Sequence, residues 1–124
     1  MHDLCGAGAK PKTVFSLLFS ISQVCHAEKT LSGDEIKTLL TGKTVYVTVN
    51  SSTQWRQYFA ADGGSARDNG ETSDWTVEGD KHCNTASATR CAAIRDNGDG
   101  TYARLKPNGS PLVIWTKLVN GKDF

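Results

Sequence analysis

The chain has 124 residues, a length that predicts one hydrophobic core rather than two. Its 14 basic and 13 acidic residues are mixed along the sequence and leave a formal charge of +1. A nucleic-acid or membrane-surface binder needs a field of one sign, so we expect no nucleic-acid partner. Twelve glycines and a charged fraction of 22% favour a turn-rich β domain over a disordered chain.

The first segment, residues 1–27, has the pattern of a secretory signal peptide. Lys10 and Lys12 precede an uncharged apolar run that is too short to span a bilayer as a helix. Cleavage after Ala27 would leave a mature domain of residues 28–124, with no membrane span. The alternative for this segment is an amphipathic or buried helix. The pattern therefore predicts a periplasmic or secreted protein.

Cys83 and Cys91 are the two cysteines of the predicted mature chain. Seven residues separate them, and in an oxidising compartment such a pair is typical of a disulfide across a hairpin. Closing so short a loop restricts the unfolded chain and would stabilise the domain by about 2–3 kcal/mol. The alternative is two buried free thiols.

A helix start follows the predicted cleavage site. Ser32 can cap a helix, and Glu35, three residues later, can reach back to it. Apolar residues then recur at helical spacing as far as Gly42, which suits the left-handed position after a helix. We predict one short helix over 32–41 that packs on the strands after it.

Beyond this helix the apolar period changes from helical to alternating. Asn-Gly and Asp-Gly turns separate short strand-forming runs, at 44–49, 55–60, 65–68, 74–78, 81–84, 89–95, 101–106 and 112–119. Seven or eight antiparallel strands without a second helix predict a mainly β fold, a small meander that is barrel-like or a curled sheet. A parallel α/β fold is excluded.

Several segments spread over most of residues 28–124 form a recognisable series. They are the helix at 31–42, Lys43-Thr44-Val45, the run from Trp55 through Tyr58-Phe59-Ala60-Ala61-Asp62-Gly63, Trp75-Thr76-Val77, Cys83, Cys91 and Asp99-Gly100-Thr101-Tyr102. This series resembles a group of short exported bacterial proteins known only as a domain of unknown function. The resemblance implies export and a β fold, and it brings no activity and no set of functional residues.

Catalytic side chains are scarce in the predicted mature chain. His82 is its one imidazole, and strand alternation places it on the opposite face from Cys83. We interpret His82 as a surface histidine beside a hairpin. No spacing of cysteine, histidine and carboxylate residues predicts a metal site, and no glycine-rich loop predicts a phosphate site. We therefore expect no cofactor and no enzymatic activity.

The strands offer one candidate recognition surface. If Trp55 faces the core, then Tyr46, Arg56 and Tyr58 share the opposite face and form an aromatic, cationic patch of a kind that favours binding. The alternative is cross-strand pairs that only stabilise the sheet. Trp115 joins the candidate binding residues because its strand is apolar on both faces, and by parity its side chain shares a face with that of the lysine two residues later.

We hypothesise that the chain is an exported binding or cell-envelope interaction module, with a protein or small molecule of the envelope as its partner. One alternative, a periplasmic inhibitor of a hydrolase, depends on fold analogy. A second alternative is a small enzyme that uses carboxylates such as Asp62, Asp74 or Asp96. That enzyme would need two of these carboxylates to meet in a cleft.

A third alternative is a carrier for a small apolar ligand. It predicts an internal cavity lined by Trp55, Phe59, Trp75 and Ile114. A barrel of this size is normally filled by its own side chains, and dry, complete packing would exclude the carrier hypothesis.

Overall fold

We analysed a computed structural model of the chain, which describes residues 27–124. Apart from its last residue, the predicted signal peptide lies outside these residues. The described chain forms one curled, half-barrel sheet of ten antiparallel strands and a single short helix. None of its helices is long and apolar enough to cross a membrane. The prediction of a mainly β fold with one short helix is confirmed.

The elements follow one another through short turns. In chain order they are β1 (Lys29–Thr30), α1 (Gly33–Leu40), β2 (Lys43–Asn50), β3 (Thr53–Phe59), β4 (Gly64–Arg67), β5 (Thr72–Glu78), β6 (Lys81–Thr85), β7 (Thr89–Ala92), β8 (Ile94–Asp96), β9 (Tyr102–Leu105) and β10 (Pro111–Asn120). The order across the sheet is β1-β8-β9-β10-β2-β3-β4-β5-β6-β7. The two ends of this order, β1 and β7, are therefore the edges.

The predicted count of seven or eight strands is wrong, for two reasons. The run predicted as one strand at 89–95 is two strands, because the chain changes partners at Ala93. Before that residue β7 pairs with β6, and after it β8 pairs with β9. The second reason is β1, whose Lys29 and Thr30 pair with β8. A strand of two residues is too short to show a period in the sequence.

The helix begins where its capping box predicts. The Ser32 hydroxyl accepts a hydrogen bond from the Glu35 backbone at 3.2 Å, and the Glu35 carboxylate accepts one from the Ser32 backbone at 2.8 Å. The chain leaves the helix through Gly42, whose φ of 74° lies in the left-handed region that glycine adopts without strain. Ile36 and Leu40 turn one helix face into the core and are fully buried.

Gly33 fixes the contact between the helix and the turn that joins β5 to β6. Its backbone N–H donates to the Asp80 carboxylate at 2.7 Å, and this bond satisfies one of the free donors of the first helical turn. A Cβ atom at this position would lie 2.1 Å from the carbonyl oxygen of Gly79. The close approach of helix and turn therefore requires a glycine here.

The core lies on the concave face of the sheet, under the helix. Phe59 is at its centre, with its ring 5.5 Å from that of Trp75 and 6.4 Å from that of Trp115. The strand register places Val45 and Val47 on the same face. Because α1 packs against β2, β5 and β6, it covers one end of this face and leaves the other end for the site described below.

The predicted disulfide is present. Cys83 of β6 lies directly opposite Cys91 of β7, and their sulfur atoms are 2.03 Å apart. The neighbouring residue His82 lies opposite Ala92. Since adjacent strand residues point to opposite faces, the disulfide is on the convex side and His82 on the concave side.

Candidate functional site

Three of the four predicted binding residues lie together on the convex face, where the C-terminal segment covers part of them. Tyr46 is paired with Arg56, and Tyr58 lies next along the same face of β3. The Tyr46 hydroxyl donates to the Asp123 carboxylate, which raises the pKa of Tyr46. Arg56 donates to the Asp123 carbonyl oxygen at 2.8 Å and lies over the Phe124 ring. Recognition through this patch stays a prediction.

The fourth predicted residue, Trp115, is on the other side of the sheet and is 2% exposed. A bulge between Trp115 and Lys117 shifts the register against β2. Lys117 therefore turns to the convex face, where its amine is 5.0 Å from the centre of the Tyr46 ring. The expected common face of Trp115 and Lys117 is wrong, because a bulge reverses the parity of every residue after it.

Trp115 is part of the wall of a cavity at the end of the concave face away from the helix. The cavity has a volume of about 240 Å³. Trp55, Phe59 and Trp115 form its aromatic walls, and the partly exposed side chains of Val49 and Leu112 lie at its rim. Its polar lining comes from five residues on four strands: Gln57, Arg67, His82, Asn84 and Arg104.

Two of the four residues predicted to line an internal cavity do so. Trp55 and Phe59 are in the wall. Trp75 packs in the core beside Phe59, and Ile114 lies on the face opposite to Trp115, its neighbour on β10. The polar lining was not predicted.

His82 is buried, and its interpretation as a surface histidine is wrong. It is 1% exposed, and its ring lies 5.3 Å from the ring of Phe59 and 5.8 Å from that of Trp115. Burial, together with the nearby charge of Arg104, lowers the pKa of His82 to about 3. At neutral pH the imidazole is therefore uncharged.

The bond from Arg104 determines which nitrogen of His82 holds the proton. Arg104 Nε donates to His82 Nδ1 at 3.2 Å, so Nδ1 is an acceptor and the proton of the neutral ring is on Nε2. That N–H is buried and has no hydrogen-bond partner within residues 27–124. Asn84 Oδ1, two residues further along β6, is likewise buried and unpaired in this part of the chain. Two residues of the cavity lining thus have, within the described chain, one unused donor and one unused acceptor.

Arg104 is held by the backbone around it. Its Nη2 donates to the carbonyl oxygens of Arg90 at 3.0 Å and of His82 at 3.4 Å. Burial lowers the pKa of Arg104, although a guanidinium remains charged at any physiological pH. In the described part of the chain it has no ion pair with a carboxylate.

The opposite wall is fixed by a chain of hydrogen bonds. Trp55 Nε1 donates to the Gln57 side chain at 3.2 Å, and Gln57 donates in turn to the Ser65 hydroxyl at 2.8 Å. The guanidinium of Arg67 lies over the Trp55 ring, 4.2 Å from its centre. These contacts hold the indole and the guanidinium in place before any ligand arrives.

The three candidate carboxylates fall into two places. Asp62 and Asp74 are exposed and line one groove of about 650 Å³ between β3 and β6, whereas Asp96 borders a hollow beside the helix. Among residues 27–124, no group of three or more histidine, cysteine, aspartate or glutamate side chains could hold a metal ion.

Comparison with protein-family models, curated proteins and solved structures finds no match to this chain. Its resemblance to short exported bacterial proteins accordingly stays a prediction.

Proposed function

We propose that the chain is an exported binding module and that the cavity on its concave face receives a small molecule. One observation carries this proposal: His82 and Asn84, whose buried N–H and side-chain carbonyl have no partner within residues 27–124, both line a preformed aromatic cavity. Buried polar atoms in native proteins nearly always have partners, and an unpaired one costs about 1–3 kcal/mol. A ligand that supplies a partner to either atom would recover part of this free energy on binding.

The shape of the site also supports the binding of a small molecule. Small-molecule sites are concave and mostly apolar, with a few polar groups that orient the ligand. The indoles of Trp55 and Trp115 give this cavity its apolar walls, and five polar side chains lie among them. Because hydrogen bonds already hold Gln57 and Trp55, little side-chain entropy remains to be lost when a ligand enters.

Export is the second part of the proposal. The leader pattern at 1–27 and the disulfide between Cys83 and Cys91 both suit a protein of the periplasm or the cell exterior, because such bridges persist in oxidising compartments. We therefore place the partner among small molecules that reach the cell envelope.

The cavity can be tested with a variant that fills it. Val113 points into the cavity from β10, so Val113→Trp would occupy its volume. Val119→Trp, near the other end of the same strand and outside the cavity lining, is the matched control. Ligand-observed NMR with the full chain and a mixed library of anionic, neutral and cationic fragments should give hits that the control retains and Val113→Trp loses.

Two results would contradict the proposal. Fragments that bind Val113→Trp as well as the unaltered chain would show that binding occurs elsewhere. A library that gives no hit with the folded, oxidised protein would remove the reason to regard the cavity as a site.

A further inference from the structure

The charge of the cavity lining restricts what it can bind. Two guanidinium groups, those of Arg67 and Arg104, border the cavity, and no carboxylate belongs to its described lining. His82 is neutral there and adds an N–H donor without adding charge. The lining therefore has a positive charge that nothing within it balances.

Arg104 makes the strongest demand for a counter-ion. It is half-buried, and a cation that is partly removed from water is stabilised by an opposite charge close to it. Its Nε and Nη2 atoms are already bonded to His82 and to the Arg90 carbonyl oxygen, whereas its Nη1 atom has no hydrogen bond within the described chain. An anion in the cavity would supply the missing opposite charge and accept from this free donor.

Arg67 adds a second, weaker attraction. Its contact with the exposed Glu71 is long, at 3.9 Å, and such surface pairs contribute little. The guanidinium is instead stacked on Trp55 and faces the cavity with part of its charge uncompensated. Two cations of fixed position thus act on any ligand that enters.

The walls require that the anion has an apolar part. A bare inorganic ion would leave unfilled the space between the indoles of Trp55 and Trp115 and the ring of Phe59. The volume of about 240 Å³ corresponds to about eight water molecules in the liquid, which leaves room for a benzoate ion. A ligand of this size can place a ring or short aliphatic body against the aromatic walls and its charge at the arginines.

We propose that the cavity binds a small organic carboxylate, with its charged end at Arg104 and the His82 Nε2–H and its apolar body against Trp55 and Trp115. This inference rests on the proposed function, since it names the ligand class of the same cavity. Asn84 Oδ1 is an acceptor and repels carboxylate oxygens, so the carboxylate belongs at the Arg104 side of the lining.

The test is a titration of the full, oxidised chain with matched probes. Binding is monitored through the NMR signals of the tryptophan indoles. Benzoate is compared with benzamide, its neutral isostere, with benzylammonium, its cationic counterpart, and with acetate and inorganic phosphate. We expect benzoate to bind at least about ten-fold more tightly than each of the others, the ratio that one charged hydrogen bond provides. The indole signals of Trp55 and Trp115 should shift more than that of Trp75.

Arginine variants locate the charged contact. Arg104→Gln should weaken benzoate binding at least about ten-fold and leave benzamide binding unchanged. Arg95→Gln, on the opposite face of the adjacent strand β8, is the matched control and should change neither value. If Arg104→Gln fails to fold, Arg67→Gln provides the same comparison, with a smaller expected loss of benzoate affinity because this guanidinium is more exposed.

The outcomes separate the ligand class from the proposed function. Equal affinity for benzoate and benzamide would contradict the proposal that the ligand is a carboxylate, while the cavity would remain a binding site. Equal affinity for benzoate, acetate and phosphate would contradict the proposal that the ligand has an apolar body. If none of the five probes binds and the fragment library also gives no hit, both proposals fail.

Discussion

Neutral, buried His82 makes the stability of the fold depend on pH. In the unfolded chain its pKa is 6.5, and in the folded protein burial and the Arg104 charge lower that pKa to about 3. Between these values the unfolded chain binds a proton that the folded protein does not bind. The free energy of unfolding is therefore highest above pH 6.5 and falls as the pH decreases toward 3.

The size of this effect follows from the two pKa values. Each pH unit between these two values changes the free energy of unfolding by about 1.4 kcal/mol, so at pH 4.5 the histidine alone should reduce it by about 3 kcal/mol. Carboxylates also begin to titrate in this range, and their contribution must be subtracted. His82→Gln provides the reference, because glutamine does not titrate and its oxygen can still accept from Arg104.

The assay is urea unfolding of both full chains at pH 7.0 and pH 4.5, followed by tryptophan fluorescence. The unaltered chain should lose about 3 kcal/mol more than His82→Gln between the two pH values. His2 and His26 occur in both proteins, so their effects cancel. Equal losses in the two proteins would refute the reasoning, since they would mean that the folded and unfolded states protonate residue 82 alike.

Two further variants test the disulfide and the helix contact. Replacing Cys83 and Cys91 by serine should lower the free energy of unfolding by about 2.5 kcal/mol, the entropic effect of a loop this short, as measured by urea unfolding; an unchanged midpoint would contradict it. Gly33→Ala should cost about 1–3 kcal/mol in the same assay, because the new methyl group meets the Gly79 carbonyl. Thr38→Ala, on the exposed side of the helix, is its control, and equal stability of the two variants would show that the contact relaxes freely.

The parts of the fold that could be predicted depend on residues close in sequence. The capping box of Ser32 and Glu35 marks the helix start, and Gly42 marks its end. Alternation alone places Val45 and Val47 on one face. Each of these patterns follows from local geometry, which the sequence states directly.

The features of the fold that the sequence did not predict depend on which strands pair with each other. The strand break at Ala93 arises because β7 and β8 pair with different partners, and no breaker residue marks it. The bulge beside Trp115 fits one strand to two neighbours, so parity counted along β10 fails after it. Neither event leaves a mark in the local composition.

Part of the site could have been found. The two-residue turn between β5 and β6 places Val77 opposite His82, so an inward Val77 implies an inward histidine. Its burial also needs Phe59 and Trp115, which come from β3 and β10, and its bond comes from Arg104 on β9. The alternation rule could therefore give the direction of the ring, while its neighbours required the full strand order.

The position of the disulfide has a consequence for how the protein behaves in concentrated solution. It ties β7, an edge strand of four residues with the exposed side chain of Arg90, to β6. A short, charged edge offers little to a neighbouring molecule. If reduction lets β7 detach, the backbone of β6 becomes a free edge that can pair with another copy of the chain. In that case the bridge protects the protein against self-association, and we expect reducing buffers to promote its aggregation.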